Sequence, residues 1–161
     1  MFVSAACVLQ GMISVVSQIA YLSLSKTLSG EAQLSDILAV SKTNNTRDGI
    51  TGILMYHDRL FFQLLEGERS IVDKCYNRIL CDPRHSAISL MWNGEAENRT
   101  FSAWAMGFVG TNEIDLNSEH ELVSLTDVAG SKDASTNSGC LALQMSLQMF
   151  QMFWRVKNPF S

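Results

Sequence analysis

Between Gly49 and Gly67 the chain reads GITGILMYHDRLFFQLLEG, two apolar, β-prone runs separated by a short polar break. Ile50 to Tyr56 and Leu60 to Glu66 form the arms of a predicted β-hairpin, with His57, Asp58 and Arg59 as its turn. Side chains alternate between faces along a strand, so Leu60, Phe62 and Leu64 share one side while Phe61, Gln63 and Leu65 share the other. Both sides are apolar enough to be covered, which places the amide of Gln63 inside. An unpaired buried polar group costs about 1–3 kcal/mol. Gln63 therefore needs a partner, either neighbouring backbone or a polar group brought from elsewhere.

The same pattern extends outward. Gln18 to Leu24 alternates as a strand, with Ile19, Tyr21 and Ser23 opposite Ala20, Leu22 and Leu24. A helix capped by Ser29 follows, carrying Leu34, Ile37, Leu38 and Ser41 at helical spacing and ending at Asn44-Asn45-Thr46. After the hairpin, Ile71, Val72, Cys75, Ile79 and Leu80 mark a second helix, stopped by Pro83. Ser86 to Trp92 is a fourth strand with Ile88, Leu90 and Trp92 on one face, and Asn93-Gly94 reads as a turn. Thr100 to Val109 is a fifth, with Ser102, Trp104, Met106 and Phe108 sharing a face. The order β-α-β-β-α-β-β predicts an α+β, ferredoxin-like sheet with both helices on one side.

The tail is expected to cover the other side. Ile114 to Val128 carries the apolar spacing of a short helix, and AGSKDASTNSG is a small, polar linker. From Cys140 to Val156, Gln144, Gln148 and Gln151 recur at helical spacing. Ala, Leu, Met and Gln favour helix there, although alternating Leu141, Leu143, Met145, Leu147 and Met149 leave a strand open. Its wide apolar arc serves either core packing or a contact with a second copy or a partner.

Composition narrows the function. The 161 residues suit one domain with a tail, and a net charge of −4 argues against nucleic-acid binding. Four cysteines without C-x-x-C spacing suggest reduced thiols in a cytoplasmic protein, with no metal site. Residues 1–16 lack the basic start of a signal peptide and are too short to span a bilayer. They read as an N-terminal extension, non-native or a loose arm with Met12 as the natural start, and no later stretch reads as a membrane span.

On the predicted topology Tyr21 and Gln63 stand on neighbouring central strands, beneath the helices. Asn44 and Asn45 lie at the end of the first helix, and Arg78 and Asp82 form an i, i+4 pair on the second. That pair is either a surface ion pair or a fixed arginine donating to a buried carbonyl. Together these groups would line a slot suited to the edge of a planar polar heterocycle. No G-x-S-x-G, Cys-His pair, two-carboxylate constellation or glycine-rich phosphate loop supplies hydrolytic chemistry.

Tyr21, the NN at 44–45 with GITG at 49–52, FFQLLEG at 61–67, DPRH at 82–85 and R-x-F-x-x-W-x-M-G from Arg99 to Gly107 form an ordered set. This set resembles the BLUF family of blue-light sensors that use FAD, in its short stand-alone type. The resemblance implies an FAD-binding light-sensing domain at 17–110, with 111–161 as linker and helical cap. It implies that Asn45, with Asn44 beside it, contacts the flavin edge near C4 and N3. Arg78, held by Asp82, would contact the C2 carbonyl side, and Gln63 would bridge Tyr21 to the ring. Tyr21 would give an electron and Gln63 pass the proton, leaving the amide rotated or tautomerised and the absorption slightly red-shifted. Trp104 and Met106 would carry the change to the last strand, both of them candidates for the flavin site. The resemblance also implies a non-enzymatic sensor, a homo-oligomer and a downstream protein partner met through the C-terminal region, with no nucleic acid or membrane involved. The alternative is a flavin-free ferredoxin-like module, enzymatic or ligand-binding, in which Arg78, Asn45 and His85 receive an anion.

Overall fold

The computed structural model describes residues 15–26, 31–103, 105–109 and 138–157. In chain order these form β1 (Val16–Ser25), α1 (Glu31–Asp48), β2 (Thr51–His57), β3 (Leu60–Gly67), α2 (Arg69–Leu80), β4 (His85–Ala96), β5 (Gly107–Val109) and α3 (Ser138–Lys157). The sheet runs β4-β1-β3-β2-β5, antiparallel throughout except that β5 lies parallel to β2. This is the expected ferredoxin-like arrangement with one strand added at its edge. The N-terminal extension before residue 15, the short helix expected at 114–128 and the linker lie outside the described residues.

Two apolar clusters sandwich the sheet. Ile19, Tyr21, Leu54, Phe61 and Leu65 face α1 and α2, joining Leu34, Leu38, Ile71, Val72, Cys75 and Tyr76. The alternate set, Ala20, Ile53, Met55, Phe62 and Leu64, packs with Phe101 against Ala142 and Met149 of α3. The last element is therefore a helix, and core packing occupies one of its sides while Leu141 and Met152 remain exposed. Among the described residues α2 lies close on β1, β3 and β4, whereas α1 stands further off the sheet.

Five local expectations are corrected. α1 continues through Asn44 and Asn45 to Asp48 and ends at Gly49, whose φ of 66° lets Ile50 N–H reach Asn45 O at 2.9 Å and Gly49 N–H reach Thr46 O at 3.4 Å. That pair of bonds is a Schellman motif, and only the left-handed glycine after it stops the helix. The hairpin turn narrows to Asp58 and Arg59, both at positive φ, with His57 paired to Leu60. β4 does not turn at Asn93-Gly94 but runs to Ala96; a Cβ on Gly94 would lie 2.3 Å from the Trp92 ring, so this glycine makes room for an indole.

β4 is also bulged. Tyr21 pairs with Leu90 and Ala20 with Trp92, so Met91 is an extra residue, and the register shifts again near Ala87, at φ 48°. Ile88 thus packs on the α1/α2 side while Trp92 packs on the α3 side, although both were expected on one face. Finally, β5 is three residues long rather than ten. Residues 101–103 form a turn, and Met106 and Phe108 join the α1/α2 cluster while Phe101 joins the other.

Candidate functional site

Tyr21 and Gln63 are direct cross-strand partners in the β1–β3 ladder, and their side chains project to the α1/α2 side. The phenol donates to Gln63 Oε1, with Tyr21 at 1% and Gln63 at 7% exposure. Burial drives the Tyr21 pKa well above its ordinary value, with Cys75, Tyr76 and Asp82 adding to the effect. The phenol therefore stays protonated as the donor. Its ring rests against Tyr76 of α2 at 5.4 Å between centroids. Among the described residues the other end of the amide, Gln63 Nε2, reaches only the sulfur of buried Met106, at 3.5 Å. A thioether is a weak acceptor, so this end of Gln63 is loosely held. Trp104 lies outside the described residues.

Asn45 is 3% exposed, in the last turn of α1. Its Nδ2 donates to Ala105 O at 2.8 Å, which leaves Oδ1 to accept from a ligand. Asn44 is half-buried and one residue round the helix, so it cannot point the same way.

The arginine pairing differs from the expectation. Asp82 lies beyond the last residue of α2, where helical i, i+4 geometry no longer applies, and it grips Arg84 instead, at 2.9 Å to Nε and 2.5 Å to Nη2. Arg84 holds the Asp82 carboxyl below its usual pKa. Arg78 instead meets Asp48 at 3.4 Å, across from the end of α1, with its side chain 55% exposed. The Arg47 and Arg78 guanidinium groups lower the Asp48 pKa in turn. The Arg78–Asp48 pair bridges the two helices at their ends. His85 packs on Phe61 and meets Ser23 Oγ at 3.0 Å through Nδ1, and burial lowers its pKa.

The buried charge at Glu66 escaped the sequence reading. At 0% exposure it accepts hydrogen bonds from Gln18, Thr100 and Phe101. A carboxylate closing an otherwise apolar strand was the available signal, since a buried charge requires donors. Asp48 and Tyr76 carried no such signal, because only the folded helices bring them to the site. Among the described residues no cluster of His, Cys, Asp and Glu is suited to a metal, and no helix is long and apolar enough to cross a membrane.

A tyrosine bonded to a loosely held amide, asparagine Oδ1 at the helix end and a guanidinium at the rim is a donor and acceptor set that fits the edge of an isoalloxazine ring. The family model described as BLUF, sensors of blue-light using FAD, matches residues 16–107. The alpha subunit of a photoactivated adenylate cyclase from Euglena gracilis is 33% identical over 73 residues, covering 45% of this chain and 7% of that protein. The chain thus spans under a tenth of that relative's length. Among solved structures, a bacterial light-regulated adenylyl cyclase superposes with a TM-score of 0.59 at 34% identity, over 71% of this chain and 34% of that one. The dark-state structure of BlrB, a BLUF protein, gives 0.58 at 30% identity, over 74% of this chain and 89% of that one.

Proposed function

Because the chain belongs to the BLUF family, the sensors of blue light using FAD, we propose that Tyr21 and Gln63 are its photoactive pair and that it reports light by rewiring their hydrogen bonds. The observation that carries this reading is the buried relay from Tyr21 O–H to Gln63 Oε1 and from Gln63 Nε2 to Met106. Bound FAD supplies the absorption of blue light and a strong excited-state oxidant. Tyr21 would give an electron to that oxidant and its phenolic proton to Gln63 Oε1 while Gln63 Nε2 releases one proton in turn, and an electron and a proton would then go back to the phenol, so that no net charge or proton is gained by the pair. On return, the amide settles with its donor and acceptor ends exchanged or in its imidic tautomer. An amide suits this work because its two ends have opposite hydrogen-bonding character, so inversion rewires the site without moving charge.

Asn45 Oδ1, with Asn44 beside it, would accept from the pyrimidine edge of the ring. Arg78 would donate to the carbonyl at C2, with Asp48 rather than Asp82 as its support, and Asp82 would act at the rim through Arg84. Met106, and with it Trp104, would pass the change to β5. The sensing unit spans 17–110 in this reading, flanked by an extension at 1–16 and a linker and helical cap at 111–161.

The output is binding rather than turnover. A downstream protein would meet the C-terminal region in the cytoplasm, with copies of the chain associating. Fusion of such sensors to cyclases in the relatives named above supports a role in passing signals onward.

The test begins with colour. The purified protein should be yellow and release FAD on denaturation, and blue light should move its absorption slightly to the red. Gln63→Leu should keep FAD and lose the shift. A protein unable to take up FAD, or a normal shift in that variant, overturns the reading.

A further inference from the structure

Gln63 and Glu66 sit three residues apart on β3 and so project from opposite faces of the sheet. Each holds one end of the same segment. On the α3 side, Glu66 Oε1 accepts from Thr100 N–H at 2.7 Å and Gln18 Nε2 at 2.8 Å, while Oε2 accepts from Phe101 N–H at 2.8 Å. Thr51 Oγ1 approaches Oε2 at 3.4 Å, and Arg99 donates to that hydroxyl at 2.9 Å and to Glu66 O at 3.0 Å. Phe101, pinned by its amide, sends its ring into the core beneath α3. Five residues on, Met106 lies against Gln63 on the other side of the sheet, and Ala105 O is held by Asn45.

Gln18 shows which group this cage serves. Its Nε2 donates to Glu66 and, at 3.1 Å, to Thr100 Oγ1, while its own buried Oε1 has no partner among the described residues. Turning the amide would satisfy nothing and set an oxygen against the carboxylate, so Glu66 dictates its orientation.

We propose that Glu66 is a positioning residue for the light response, fixing the 99–101 end of the segment so that a rearrangement at Gln63 displaces Met106 and β5 instead of being absorbed as slack. Among the described residues Glu66 bonds to none of the side chains proposed for the chromophore site, so it would act through the segment. The anchoring half of this inference stands on contacts alone; the effect on the light response rests on the function proposed above.

The experiment uses Glu66→Gln and the exchanged pair Gln18→Glu/Glu66→Gln. The exchange keeps one amide and one carboxylate facing each other across the β1–β3 register but takes the carboxylate off the Thr100 and Phe101 N–H groups. Amide exchange is measured first on protein without FAD. In both variants the Thr100 and Phe101 amides should exchange about tenfold faster or more, as hydrogen bonds to a charged acceptor are lost. With FAD bound, the lifetime of the red-shifted state should change at least about threefold in both, a small barrier change on the scale of 1.36 kcal/mol per tenfold in rate. Unchanged amide exchange refutes the anchor, whether or not FAD binds. Faster exchange with an unaltered lifetime refutes the role in the response while leaving the anchor intact. Wild-type behaviour in the exchanged pair reduces Glu66 to a strand-pairing residue. Should Glu66→Gln fail to fold, Thr51→Val removes one arm of the cage, and the same amides should then exchange measurably faster; no change refutes the anchor.

Discussion

Gln63→Leu carries a second consequence, readable without light or FAD. Leucine nearly conserves volume but offers Tyr21 no acceptor, and at 1% exposure the phenol has no water to turn to. Stranding such a donor costs about 1–3 kcal/mol. The lost contact to Met106 sulfur adds little, and the gain from a more apolar side chain offsets part of the penalty. Tyr21→Phe strands the other partner, since Gln63 Oε1 then has no phenol, at a comparable cost. Removing both leaves two apolar groups facing each other, which is nearly neutral, so the double variant should be more stable than the sum of the singles by about 2–6 kcal/mol, close to the two single costs added together. For a chain of this size each 1 kcal/mol moves the melting midpoint by about 2–4 °C. Thermal unfolding of FAD-free protein, followed by circular dichroism, should show each single variant lowered by about 2–12 °C and the double within about 3 °C of wild type. Additive losses in the double would show that the two side chains do not depend on each other, and the relay reasoning would fail.

Two further outcomes follow from the same contacts. Burial lowers the His85 pKa below its ordinary 6.5, so the unfolded chain binds the proton more readily and stability should fall as the pH drops from about 6.5 toward 5. Asp82, held low by Arg84, works in a different window: its contribution is present above 3.8 and lost below it. Melting midpoints from pH 8 to 5 should therefore slope in wild type and flatten in His85→Gln; an equal slope in both assigns the effect elsewhere. Truncation after Asn137 removes α3 and uncovers Phe62, Leu64, Ile53 and Met55. Gel filtration should then show larger species or losses to precipitation, and an unchanged elution profile would mean α3 is dispensable cover.

Much of this was legible because strand alternation is a local property. The paired faces of β1 and β3 could be read from QIAYLSL and FFQLLEG, and two helices of ordinary spacing completed the topology. Features depending on a single backbone angle or an added residue were not. Met91 bulges because the β1 register requires it, and nothing around it distinguishes it from a regular strand residue. Gly94 reads as a turn locally and serves an indole in three dimensions. The arginine partner was misjudged because helical spacing was extended past Leu80 to a residue the helix does not contain. Asp48 lies thirty positions from Arg78, and only the way α1 is laid beside α2 brings them together.

The two irregularities in β4 matter beyond side-chain direction. Among the described residues β4 is an outer strand with no further strand beside it, and Leu90 and Met91 are exposed along it, features that would invite a second sheet to zip on. An unpaired margin is sticky only while its amides and carbonyls keep an even rhythm. Here the rhythm is broken twice within a few residues, so a neighbouring strand would have to mirror both breaks to dock. Edge-to-edge stacking of sheets at that rim is thereby disfavoured by the shape of the backbone.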